Sequence, residues 1–253
     1  MEVDKALVPL FIETEIPKGV KQIGSGVFLE FQSEPFLFTA AHVTDELKEG
    51  RLLVPTVNGL CEIDGYLAHV DLLPEMFRED DTLDMAYYRL SSQFASELCF
   101  DFFPLQKKVE IIPSALELGV VSVVGYPASK SKRKGKLHRS ELAYYRGVAA
   151  EKEVYDQYDL SPEHHVIVKF NHKNTVSPIT EKKVNSPSPR GVSGGAMFAW
   201  PDGHEISTDW SLPKLVGIFH TYKKKEGLLI GSSVISYASA TMLGKMKGYG
   251  GVK

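Results

Sequence analysis

Only two cysteines, Cys61 and Cys99, occur among the 253 residues. Two are too few for a disulfide framework, and with no export signal in view the expectation is two reduced, packed thiols in a cytoplasmic protein. Long hydrophobic runs are missing as well. The apolar run Ala6 to Ile12 is interrupted by Pro9 and flanked by Glu2, Asp4, Lys5, Glu13 and Glu15, which does not fit a secretory signal. The longest stretch without formal charge, Leu228 to Gly244, carries Ser232, Ser233, Ser236, Tyr237, Ser239 and Thr241 and is too short and too polar to span a bilayer. No membrane partner is expected. Neither sign of charge dominates, since 29 Lys+Arg stand against 32 Asp+Glu for a net −3. The chain therefore offers no global field to a polyanion, and nucleic-acid binding is not expected. A content of 43% apolar and 24% charged residues excludes disorder and fibrous structure. No internal repeat recurs, which excludes a propeller or a solenoid.

Helical periodicity is scarce. What recurs instead is short runs of β-branched, aromatic and aliphatic residues between turn signals, the pattern of an antiparallel all-β protein. The clearest hairpin runs from Val27 to Phe31, turns at Gln32-Ser33-Glu34 and returns from Pro35 to Thr39. Further strands are expected at Asp84 to Leu90, Gly119 to Tyr126, Glu141 to Ala149, His165 to Phe170, Gly194 to Trp200, Leu215 to Tyr222 and Leu228 to Ile235. A short terminal helix is expected from Tyr237 to Lys247. A division near Ile111-Ile112-Pro113 splits the chain into β units of similar size, 1–112 and 113–253. Two stretches read as long surface loops: the basic Ala128 to Ser140, and Asn171 to Arg190 with Pro178, Pro187 and Pro189.

Three segments carry the chemistry. In Arg190-Gly191-Val192-Ser193-Gly194-Gly195 a serine is enclosed by glycines, whose lack of Cβ lets backbone N–H groups turn toward one point beside Ser193 Oγ. In Phe38-Thr39-Ala40-Ala41-His42-Val43 a strand ends in small residues and a histidine. In Leu83-Asp84-Met85-Ala86 an aspartate opens an apolar strand, where a buried carboxylate requires a cationic or N–H partner, and an imidazole would serve.

The order His42, Asp84, Ser193 is the chain order of the chymotrypsin triad. With Gly24-Ser25-Gly26-Val27-Phe28, Gly125-Tyr126-Pro127 and Leu215-Val216-Gly217-Ile218 beside the three boxes, the sequence resembles the chymotrypsin/trypsin-fold serine proteases from Gly24 to about Ile235. The resemblance implies two antiparallel six-stranded β-barrels, with His42 and Asp84 on the first and Ser193 on the second. It implies a serine endopeptidase acting on a protein or peptide substrate without a cofactor: Ser193 as nucleophile, His42 as general base, Asp84 orienting the imidazole, and the N–H groups of Gly191 and Ser193 as oxyanion hole.

Departures from the family refine this. Val43 follows His42 where secreted members have a cysteine. Val192 precedes Ser193 where zymogens have an aspartate that ion-pairs with a new N-terminus, so activation by that switch is not expected. The approach to Gly24-Ser25-Gly26 resembles bacterial trypsin-like peptidases of the high-temperature-requirement type, with no room after the second barrel for their peptide-binding domain. The pocket-floor position falls on Pro187 and no aspartate lies nearby, so cleavage after basic residues is not expected. His220 and Tyr222 are expected to border the substrate pocket. No metal is expected, because His164, His165 and His172 do not form a ligand set with the two cysteines. Gly191-Val192-Ser193-Gly194-Gly195 also fits the α/β-hydrolase pattern, but that fold requires a helix after the serine and its Asp and His later in the chain. The competing non-enzymatic reading is a catalytically silent protease fold kept as a binding module. Because a cytoplasmic endopeptidase without a zymogen switch would be hazardous if always active, control by a regulatory protein or ligand is expected.

Overall fold

A computed structural model of the chain describes residues 3–15, 18–69, 72, 74–105, 114–134, 137–171, 175–176, 183–184, 186–199 and 214–243. The first half forms a curled sheet of β1 (Leu7–Glu15), β2 (Lys18–Phe31), β3 (Glu34–Ala40), β4 (Gly50–Thr56), β5 (Gly59–Glu62), β6 (Gly65–His69), β7 (Met85–Leu90) and β8 (Phe103–Leu105), in the order β5-β4-β1-β2-β3-β7-β6. Its pairings are antiparallel apart from β8, which adds to β2 in parallel. The second half supplies β9 (Val120–Gly125), the short hairpin β10 (Lys132–Lys134) and β11 (Leu137–Arg139), β12 (Ala143–Ala149), β13 (His165–Lys169), β14 (Thr175–Val176), β15 (Lys183–Val184), β16 (Ala196–Ala199), β17 (Lys214–Lys223) and β18 (Leu228–Ser233). Six of these close on themselves as β12-β13-β18-β17-β16-β9. The helices are short: α1 (Ala41–Thr44), α2 (Ser92–Glu97), α3 (Lys152–Gln157) and α4 (Val234–Leu243).

The all-β fold with a short C-terminal helix is the one expected, and the second half closes with six strands, but the first sheet has eight strands rather than six, because β4–β5 and the parallel β8 extend it. The β2–β3 hairpin turns at Gln32 and Ser33, both at positive φ (54° and 63°), the geometry that matches the twist of adjoining strands; Glu34 already belongs to β3. Within the basic stretch 128–140 the described residues form a short turn and the paired strands β10 and β11 rather than an irregular loop. The second expected loop and the expected division at 111–113 lie largely outside the described residues. Both cysteines are free, but Cys99 is exposed rather than packed, since it lies in the bend after α2. Among the described residues no helix is long and apolar enough to cross a membrane.

The core has three parts. Phe28, Leu37, Ala40 and Val8 fill the inside of the first sheet, while Tyr145, Val166, Ile167 and Phe219 fill the second barrel. Between them, Val27, Leu29, Phe36 and Phe38 meet Val124, Ala196, Phe198, Ile218 and Tyr237. Successive residues of β2 and β3 thus point alternately into their own barrel and into the contact between barrels. That is why these strands are apolar on both faces. The contact layer brings the ends of β3, β7 and β17 together, and the candidate site lies there.

Candidate active site

His42 is carried by α1, a single helical turn that starts where β3 ends. Its first N–H groups need acceptors, and Ala40, at the N-cap, has no side chain to supply one. Asp84 does so instead. Its backbone carbonyl accepts from Ala41 N at 2.9 Å and its Oδ1 from His42 N at 2.8 Å. The second oxygen, Oδ2, is 2.5 Å from His42 Nδ1. One residue therefore both caps the helix and orients the imidazole on it. Reaching both acceptor sites requires φ +44° at Asp84, in the left-handed region that aspartate tolerates better than most residues. Asp84 thus stands in the turn before β7 rather than opening the strand, as the sequence reading had it. The carboxylate is 7% exposed and the imidazole 37%. Burial alone would push the Asp84 carboxyl up, but the hydrogen bond and charge of His42, followed by His220, outweigh it and hold the group below its usual range.

Ser193 approaches from the second barrel on a turn pinned on several sides. Ser25 N donates to Ser193 O at 2.7 Å and Ser25 Oγ to Gly191 O at 3.1 Å, while Gly194 N donates to Phe219 O at 2.7 Å. Ser25, noted in the sequence only as part of a glycine-flanked box, is thus a buried organiser of the serine turn. Gly191 sits at φ +89°, and Ala128 N donates to Arg190 O at 2.8 Å. In a trans peptide that carbonyl and the Gly191 N–H point in opposite directions, so the N–H is turned away from Ala128. Neither the Gly191 nor the Ser193 N–H has an acceptor among the described residues. Val192 is fully buried in the second core, where no ion pair can form.

Ser193, His42 and Gly191 share a cleft of about 320 Å³ with Ile23, Ser188, Pro189, Arg190, Phe219, His220 and Tyr222. Among the described residues no hydrogen bond joins Ser193 to His42. Ser193 Oγ donates instead to His220 O at 3.2 Å. That carbonyl is free because β17 slips register against β18 between Phe219 and Thr221, a bulge at His220. The His220 ring is 5% exposed, with Nδ1 2.9 Å from Thr221 Oγ1 and 4.0 Å from Asp84 Oδ2. Burial lowers its pKa to about 4, against an opposing pull from Asp84, so the ring is neutral near pH 7. His220 lines the cleft, and its ring also lies beside the Asp84 carboxylate. Tyr222 lines the cleft, whereas Pro187 is half-buried and outside its lining. Among the described residues no group of His, Cys, Asp and Glu side chains is arranged to hold a metal ion.

No protein-family model matches the chain, and no curated protein matches it in sequence. Solved structures do. The serine protease domain of the Sesbania mosaic virus polyprotein is similar at 15% identity over 93% of this chain and 91% of that one, with a TM-score of 0.51. The fold is chymotrypsin-like. The Vibrio cholerae VesB protease is similar at 12% identity with a TM-score of 0.54, over 94% of this chain and 63% of VesB. In this structure His42 and Ser193 line one cleft, and Asp84 is hydrogen-bonded to His42 behind it.

Proposed function

We propose that the protein is a serine endopeptidase, and the observation that carries this reading is the His42–Asp84 pair facing Ser193 across the cleft between two barrels. In the proposed reaction Ser193 Oγ exchanges the His220 carbonyl for His42 Nε2 as its hydrogen-bond acceptor. The oxygen then attacks a peptide carbonyl as His42 takes its proton, and the carbonyl electrons move onto the oxyanion beside the free N–H groups of Gly191 and Ser193. His42 returns the proton to the leaving amine, and water hydrolyses the acyl-enzyme by the same steps. Asp84 keeps Nδ1 protonated and stabilises the imidazolium. Buried Val192 supports activity without a zymogen-type ion pair, as in the high-temperature-requirement type that the sequence resembles. Control by a partner or ligand would act on the Ser193–His220 hydrogen bond, and that bond is also what favours the second reading, a silent binding module. Tyr222 and His220 are assigned to the substrate side, and a cytoplasmic setting fits the two free thiols.

Labelling with a fluorophosphonate probe, read by intact mass and peptide mapping, tests the proposal. The expected result is one adduct on Ser193 that is lost in His42→Ala and Ser193→Ala. Folded wild-type protein that takes no label, in isolation or in lysate, would overturn it in favour of the binding module.

A further inference from the structure

We infer that Arg78 is a positioning residue for the His42–Asp84 pair, gripping both chain segments that present these side chains. Its kinetic consequence rests on the endopeptidase reading above, while its structural consequence does not. α1, which carries His42, ends at Thr44 and is followed directly by Asp45. Arg78 Nε donates to Asp45 Oδ2 at 2.8 Å and Nη2 to Asp45 Oδ1 at 2.9 Å, the two-pronged match of guanidinium to carboxylate. From its remaining edge, Nη1 donates to Asp81 Oδ2 at 2.7 Å. The other oxygen of Asp81 accepts from Leu83 N at 3.1 Å and from Asp84 N at 3.0 Å.

These contacts close a ring. Arg78 holds the C-terminal end of α1 through Asp45 and the backbone N–H of Asp84 through Asp81, while Asp84 itself caps the N-terminal end of α1. An aspartate at φ +44° persists only where its surroundings over-determine it, and the Asp81 carboxylate accepting from its N–H is one such constraint. The Arg78 and Asp81 side chains are 15% and 8% exposed, so the contact is less screened than a surface pair. Lysine, a point charge on one stem, cannot reproduce a planar fork reaching two carboxylates at once. Arg78 is not among the residues lining the cleft, so its effect would pass through the geometry of His42 and Asp84.

The test compares wild type, Arg78→Lys and Arg78→Ala as full chains. One readout is the downfield proton resonance of the His42 Nδ1–H···Asp84 bond, which needs no turnover. A second is kcat and KM on a cleaved peptide, with and without added guanidinium. The resonance is expected to shift or vanish in both variants. With KM unchanged, kcat is expected to fall about 10²-fold, the cost of a misplacement near 1 Å. Guanidinium is expected to restore part of it in Arg78→Ala, and ammonium none. An unchanged resonance and kcat in a variant that is merely less stable would overturn the inference. If Arg78→Ala does not fold, Arg78→Lys decides by the same readouts. If wild type takes no label at Ser193, the endopeptidase reading falls while the resonance still judges Arg78.

Discussion

Gly194 shows how tightly single positions are specified where the barrels meet. It holds φ +85°, and a Cβ there would sit 2.0 Å from Ser25 O and 2.3 Å from Thr39 Oγ1. Thr39 Oγ1 donates to that same Ser25 oxygen at 2.9 Å, so neither neighbour can withdraw without breaking a buried hydrogen bond. Gly194→Ala therefore combines left-handed strain with overpacking, and is expected to lower stability on the order of 3 kcal/mol. Urea unfolding monitored by circular dichroism measures this, and a loss below about 0.5 kcal/mol would contradict the geometry. The same residue in an ordinary glycine-rich turn would tolerate alanine. The position thus separates a serine turn wedged between barrels from a solvated loop.

Among the elements, α4 joins the two units. Tyr237, near its middle, stacks on Phe38 with centroids 4.8 Å apart and donates from its hydroxyl to Thr39 O at 2.6 Å. It is 1% exposed and belongs to the contact layer between barrels, so a helix from the second half reaches the strand that leads into His42. Tyr237→Phe keeps the stack but leaves the Thr39 carbonyl without this donor. The expected cost is about 1–3 kcal/mol, read from denaturant midpoints, with an unchanged midpoint counting against the bond. Such strands as β3, β7 and β17, and the Val27 to Phe31 end of β2, are legible in the sequence because their apolar runs end at turn residues, and His42, Asp84 and Ser193 are legible as candidates because they come in a recognisable order within small-residue boxes. The geometry between them is less so. No motif marks Arg78 in the sequence, and only the fold brings it to Asp45. The bulge at His220 is invisible for another reason: one unpaired residue re-aims a side chain on a strand, and no composition signal marks it.

At the scale of the whole molecule, the contact between barrels buries imidazoles beside charges from the opposite half. His165 on β13 lies 3.1 Å through Nε2 from Thr82 O in the turn before Asp84, and Ser232 on β18 donates to Leu83 O in the same turn. His220 on β17 faces Asp84. Burial, the largest cause, lowers the pKa of His220 to about 4 and also lowers that of His165; for His220 the attraction of Asp84 opposes it while His42 and His165 reinforce it. In the unfolded chain His220 titrates near 6.5. Between about pH 6.5 and 4 the unfolded chain therefore binds a proton that the folded one refuses, and stability rises with pH across that window and is lost as pH falls through it. Asp84, whose carboxyl is held below its usual range, stabilises the fold above its unfolded pKa and loses that contribution only at more acidic pH. At about 1.4 kcal/mol per pH unit, His220 alone accounts for a loss of about 2 kcal/mol between pH 6.5 and 5. His220→Gln, neutral at every pH, is expected to flatten this slope. Urea unfolding of both proteins at several pH values in that window checks it, and equal slopes would mean that His220 takes up its proton as readily in the folded protein as in the unfolded chain.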